Sequence, residues 1–170
     1  EAIIQVLNEM AGDGIVADYA IGGAIAVSFY TEPQETLDID IFVAFPAEEQ
    51  AVISMQPVYD YLEKKGHKAS GEHISIHGMP VQFLPTDELT GDALANAEHT
   101  TVGDLPTRVF TKEHLAAIMV KLQRPKDRAR LPALLDVDDF DSGVFEAILE
   151  RFGLADGPVR SPGGPGGERR

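Results

Sequence analysis

Cysteine is absent from this 170-residue chain, which excludes a disulfide framework, a zinc-thiolate site and a thiol nucleophile. No apolar run approaches the ~20 residues that a membrane-spanning helix needs. Residues 1–12 lack both the basic start and the long hydrophobic centre of a secretory signal, so a cytoplasmic protein is the expectation. Positive charge is scarce: 14 Lys and Arg stand against 28 Asp and Glu, for a net charge of −14. That balance argues against a broad duplex-binding surface, which must neutralise many phosphates. Several chemistry-bearing patterns are missing too. There is no G-x-x-x-x-G-K-[ST] phosphate loop, no third glycine for a dinucleotide fingerprint and no G-x-S-x-G elbow. His67, His73, His77, His99 and His114 show no H-E-x-x-H spacing, although His73 and His77 fall close enough to the expected sheet to approach a substrate.

What is present reads as one α+β domain. Ile3, Ile4, Leu7 and Met10 recur at helical spacing before Gly12 and Gly14, predicting a helix over 2–11. A strand over 19–21, a tight turn at Gly22-Gly23, a buried helix over 24–30 and a strand over 37–45 follow. A helix over 57–65 precedes two strands, 73–76 and 80–84, around His77-Gly78-Met79. Residues 87–97 read as helix, and 100–110 as one or two short strands. The remainder is helical: 112–123 capped by Thr111, 125–135 opened by Pro125, and a third helix capped by Ser142 and running to Phe152. The glycine- and proline-rich end, 156–170, is expected to be a disordered tail.

The chemistry concentrates around Asp38-Ile39-Asp40. Two carboxylates two residues apart on a strand share a face, with Cα atoms roughly 6 to 7 Å apart, while Leu37, Ile39 and Ile41 take the other face. Two ionised carboxylates converging at about 4 Å repel by ~1 kcal/mol in water and ~4 kcal/mol at an effective dielectric of 20. Something positive is expected between them. The rival reading is a solvent-facing edge strand, against which stands the apolar run Ile39, Ile41, Phe42 and Val43, typical of an interior strand. Gly22-Gly23 likewise has two readings, a packing or positive-φ requirement, or a bare backbone that phosphate oxygens can approach. Between Arg108 and Arg130 lie Arg108, Lys112, Lys121, Arg124, Lys126, Arg128 and Arg130 against only Glu113 and Asp127. A local basic surface on an acidic protein suits a small polyanion such as a nucleoside triphosphate. Lys121, Arg124 and Arg128 share one helical face if Pro125 does not reorient the chain, either as a site or as an ordinary solvated face.

Ile21-Gly22-Gly23, fourteen residues, then Asp38-Ile39-Asp40-Ile41 resembles the signature of the DNA polymerase beta-like nucleotidyltransferase superfamily. Tyr30-Thr31-Glu32-Pro33, with Lys121 and Arg124-Pro125-Lys126-Asp127, is similar to small prokaryotic nucleotidyltransferases of toxin–antitoxin or phage-defence pairs. The resemblance implies a nucleotidyltransferase core over 1–110, a mixed sheet flanked by helices, and a helical segment over 111–155 packed on it. It also implies two Mg²⁺ ions, held by Asp38 and Asp40 as hard-oxygen ligands. Gly22 and Gly23 would lie under the phosphates and Lys121 near the triphosphate, with Asp127 orienting a cation or packing structurally. The activity implied is transfer of a nucleoside monophosphate from a triphosphate to a hydroxyl on a protein, an RNA or a small molecule. Two departures qualify it. Gly23 stands where many relatives have serine, and Gln82, in Val81-Gln82-Phe83-Leu84, stands where a third carboxylate is usual. Glutamine can coordinate through its carbonyl but cannot act as a general base. Asp87 or Glu88 offers a substitute carboxylate or simply an acidic first helical turn. The alternative is therefore a catalytically impaired protein of this fold that binds nucleotide or a partner protein.

Overall fold

A computed structural model describes residues 1–46 and 54–156. In chain order the elements are α1 (Ala2–Gly12), β1 (Asp18–Ile21), α2 (Gly23–Val27), β2 (Ile39–Ala44), α3 (Gln56–Lys64), β3 (Lys68–Ser70), β4 (His73–Ile76), β5 (Met79–Pro85), α4 (Glu88–Ala95), β6 (Glu98–Val102), β7 (Leu105–Val109), α5 (Lys112–Leu122), α6 (Pro125–Leu135) and α7 (Ser142–Arg151). The strands form one mixed seven-stranded sheet in the order β3-β4-β5-β2-β1-β7-β6. β2 is antiparallel to β1 and parallel to β5, and β1 meets β7 in parallel at Ile21 and Val109. No helix among the described residues is long and apolar enough to cross a membrane.

The position of β2, fourth of seven strands, disposes of the edge-strand reading of Asp40. Strand alternation then sorts its side chains: Ile41 and Val43 are buried on one face together with Val81 and Phe83 of β5, while Asp40, Phe42, Gln82 and Leu84 face a cleft. Helices α5 and α7 belong to the same continuous apolar core, through Leu115, Ala116, Ala117, Phe145, Ile148 and Leu149. The helix boundaries expected at Thr111 and Pro125 are those observed.

Four details differ from the sequence reading. The third C-terminal helix is capped by Asp141, whose carboxylate accepts the Val144 N–H at 3.0 Å, so Ser142 is the first helical residue. β2 begins at Ile39, leaving Asp38 on the turn before it. Leu37 does not pack on the opposite face; it is 89% exposed and stands at the cleft mouth. β3 has three exposed residues, so it carries no burial alternation to read. The expected tail falls, apart from Asp156, outside the described residues.

Candidate functional site

The end of β1 and the start of α2 form the floor of the cleft. Gly22 donates its N–H to the Asp40 carbonyl at 2.9 Å, tying the turn to β2. A Cβ on Gly22 would run into the Phe42 ring, which packs on Phe110 with centroids 4.8 Å apart. Gly23 sits at φ +59°, and a Cβ there would collide with the Asp40 carboxylate. Both glycines are thus demanded by close approach, and Gly23 also by the left-handed region. Of the two, Gly23 lines the cleft.

Asp38 and Asp40 both line this cleft of about 560 Å³, but their surroundings differ. Asp38 is held at both oxygens: Oδ1 accepts the Thr36 hydroxyl at 3.0 Å, and Oδ2 lies 3.1 Å from His73 Nε2. Burial pushes its pKa upward, but the bonds from His73 and Thr36, with the nearby Lys126 charge, hold it below the ordinary carboxylate value. Asp40 is pushed the other way, chiefly by burial and then by the Asp38 charge, against the weaker pull of Lys126, Arg124 and His73. No group among the described residues hydrogen-bonds its carboxylate. Gln82 is its lateral neighbour on β5 and also lines the cleft.

The facing wall comes from the α5–α6 corner. Gln123 adopts a left-handed conformation at φ 50°, which ends α5 and turns the chain before Arg124 caps α6. Asp127, 2% exposed, accepts the Arg124 backbone N–H at 3.1 Å, Nε at 2.7 Å and Nη2 at 3.0 Å, and so orients that guanidinium. Arg124, Lys126 and Arg130 line the cleft, and Arg130 donates to the Glu35 carbonyl at 3.0 Å. Because the chain turns at Gln123, Lys121 does not join them. Its ammonium donates to Asp87 at 2.5 Å, outside the cleft lining, and Arg128 is outside as well. Asp87 caps α4 through a reciprocal pair with Thr90. Although burial opposes it, the Lys121 and Thr90 bonds bring the Asp87 pKa down to about 2. Neither Asp87 nor Glu88 reaches the aspartate pair as a substitute ligand.

Between the walls, Leu84, Leu115, Ile118, Met119 and Leu122 make an apolar shelf. Sequence reasoning did not single out Lys126 and Arg130 from the basic cluster; their four-residue spacing on α6 was the available signal. Thr36, two residues before Asp38, was a local signal that sequence reasoning passed over; the bond from His73 to Asp38 had none, since His73 is 35 residues away in sequence.

A mixed sheet with one aspartate on its central strand and a second on the turn leading into it, beside a glycine turn and opposite a basic helix corner, defines a nucleotidyltransferase-like fold. No family model and no curated protein matches the sequence. Among solved structures, the chain is similar to ANT(2″)-Ia in complex with adenylyl-2″-tobramycin, with a TM-score of 0.55, 15% identity, and coverage of 90% of this chain and 98% of that one. The solution structure of the antibiotic-resistance factor ANT(2″)-Ia gives 0.52 at 14% identity over 88% and 90%. An antigenic nucleotidyltransferase-like protein from Paracoccidioides brasiliensis gives 0.56 at 15% identity over 88% and 85%.

Proposed function

We propose that the protein is a Mg²⁺-dependent nucleotidyltransferase that moves a nucleoside monophosphate from a triphosphate to a hydroxyl acceptor. One observation carries the reading: Asp38 and Asp40 share a cleft with Arg124, Lys126 and Arg130, and the Asp40 carboxylate has no hydrogen-bonding partner among the described residues. A half-buried carboxylate without a partner, raised in pKa beside a second carboxylate, is the environment that a dication would relieve. The donor set fits Mg²⁺, a hard cation that prefers oxygen and commonly takes only one or two protein carboxylates beside substrate phosphates and water. Among the described residues no group of three or more His, Asp or Glu side chains is placed to hold a metal ion, so the protein would offer the two aspartates alone. Asp38 and Asp40 would hold the ion, and when bound it would polarise phosphoryl oxygens as a Lewis acid.

The remaining roles belong to the chain. Lys126, which makes no close ion pair among the described residues but whose charge is felt by Asp38 and Asp40, and the oriented Arg124 would neutralise triphosphate oxygens. Gly23 would admit phosphate to the cleft floor, while Gly22 serves packing against Phe42. Lys121 is assigned to α4 rather than to nucleotide. The acceptor hydroxyl oxygen would attack the α-phosphorus, forming one P–O bond as the bond to pyrophosphate breaks, with the hydroxyl proton released to water. The core would comprise residues 1–110, with 111–155 supplying the basic wall. The fold's likeness to a protein bound to an adenylylated tobramycin supports a small-molecule hydroxyl ahead of protein or RNA.

The test is pyrophosphate release from each of the four nucleoside triphosphates with Mg²⁺ and a panel of hydroxyl acceptors, comparing wild type with Asp40→Asn. Release that Asp40→Asn abolishes supports the proposal, and equal release from both proteins removes the aspartate from the mechanism. Gln82 beside Asp40 favours a second reading, a catalytically impaired module that binds nucleotide or, as in a toxin–antitoxin pair, a partner protein. Calorimetric uptake of a triphosphate without any pyrophosphate would select it.

A further inference from the structure

The position where a third carboxylate is missing has a neighbour. On the β4–β5 ladder Ile74 pairs with Val81 and Ser75 with Pro80, so one further step places His73 beside Gln82. On the β2–β5 ladder Gln82 pairs with Asp40. Ile74, Val81 and Ile41 are buried on the opposite face, which leaves His73, Gln82 and Asp40 as one row on the cleft face of three adjacent strands. At the end of that row His73 reaches across to Asp38, with Nε2 at 3.1 Å from Oδ2. An ionised carboxylate only accepts hydrogen bonds, so the imidazole nitrogen in this contact carries the hydrogen. His73 is not part of the cleft lining; its direct contact with the site is the hydrogen bond to Asp38.

We propose that His73 is a positioning residue for the cation site, fixing Asp38 from behind in a chain where Gln82 provides no third charge. The inference rests on the reading of Asp38 and Asp40 as cation ligands. With two carboxylates in place of three, cation affinity depends more heavily on how little those two must reorganise on binding. Asp40 is confined by Gly23, against which its carboxylate is pressed. Asp38 has no such packing and is confined by two hydrogen bonds, from Thr36 to Oδ1 and from His73 to Oδ2. Each oxygen thereby keeps a further lone pair for a cation. Of the two donors Thr36 is local, two residues away, whereas His73 arrives through the β3–β4–β5 meander, so the packing of that sheet edge is tied to the order of the site.

The experiment measures Mn²⁺ affinity of the full chain from the free-ion paramagnetic signal, for wild type and for Asp40→Asn, His73→Ala, His73→Asn and His73→Gln, with melting temperature beside it. Outer-layer partners of metal ligands typically contribute 10- to 100-fold in affinity, so His73→Ala should weaken Mn²⁺ by about tenfold or more with little change in melting temperature. His73→Gln, whose amide N–H reaches about as far as Nε2, should recover to within about threefold of wild type, whereas His73→Asn, polar but shorter, should not. If His73→Ala fails to fold, the contrast between Gln and Asn decides. Wild-type affinity in both His73→Ala and His73→Asn, or Gln no better than Asn, overturns the proposal while Asp40→Asn still shows that the site is real. A wild type that takes up no Mn²⁺ removes the cation site and this inference together. Mn²⁺ uptake without pyrophosphate release removes the transfer reaction alone, and His73 is then judged on the Mn²⁺ affinities.

Discussion

The tip of β2 and the α5–α6 corner each place a carboxylate out of full contact with water, and they treat it in opposite ways. At the corner, Asp127 receives three N–H donors from Arg124, two of them from a guanidinium in a fork geometry. At the strand tip, Asp40 receives none among the described residues, has Asp38 as a like-charged neighbour, and is pushed toward protonation. A satisfied buried carboxylate belongs to the architecture; an unsatisfied one in a cleft marks where a partner from outside the chain would go. The two regions nevertheless work on one another, because the arginine that Asp127 orients also faces the cleft and lowers the Asp40 pKa.

The contrast breaks most sharply in the exchange of each aspartate for asparagine. Asp40→Asn should reduce transfer by about a thousandfold, the equivalent of ~4 kcal/mol of lost charge stabilisation, in a steady-state pyrophosphate assay. Its melting temperature should hold or rise, because a repelled, half-buried charge is removed. Asp127→Asn should do the reverse to stability, lowering it by about 1 to 3 kcal/mol in urea unfolding, since a helix cap and a charge-assisted pair are lost together. If both substitutions destabilise alike, the distinction between the two carboxylates is wrong.

Lys126→Ala sharpens the comparison from the other wall. Triphosphate affinity measured by calorimetry should fall by about tenfold, with stability unchanged within about 0.5 kcal/mol, as expected for an exposed cation that makes no close ion pair among the described residues. Lys121→Ala is the matched control, and triphosphate affinity equal to wild type is expected because Lys121 is spent on Asp87.

The smallest effect lies in the Asp87 cap. Its folded pKa of about 2 lies below the ordinary aspartate value of 3.8, so the unfolded chain binds the proton more readily and stability is lost on acidification. The contribution is complete above about pH 4 and disappears as pH falls through 2. It should be no more than ~1 kcal/mol, because the pair with Lys121 is solvent-screened. Denaturant unfolding of wild type and Asp87→Asn should therefore differ at pH 5 and converge near pH 2.

Much of this was legible along the chain. The two-residue step that brings Asp38 and Asp40 to one cleft was legible, although Asp38 lies on the turn before the strand rather than in it, and the helix starts at Thr111 and Pro125 are local chemistry. The signal failed where neighbours come from afar. Lys121, Arg124 and Arg128 fit one helical stripe by spacing, but a left-handed Gln123 divides that stripe between two helices. Leu37 fitted the buried face by alternation, but the strand begins after it. Nothing near His73 announces Asp38, because a sheet ladder rather than the chain brings the two together.

By itself the amino-acid order determined an acidic pair at the start of an apolar strand, a glycine bend before it, a basic stretch after it and the absence of a third charge at Gln82, since each depends on residue type and short-range periodicity. Tertiary structure decided which cations face the pair, that Asp87 withdraws Lys121, and that Asp38 is hydrogen-bonded by His73 while Asp40 has no such donor among the described residues. These are questions of which side chains meet across strands and helices, and of how far each charge is removed from water, which only the packed chain sets.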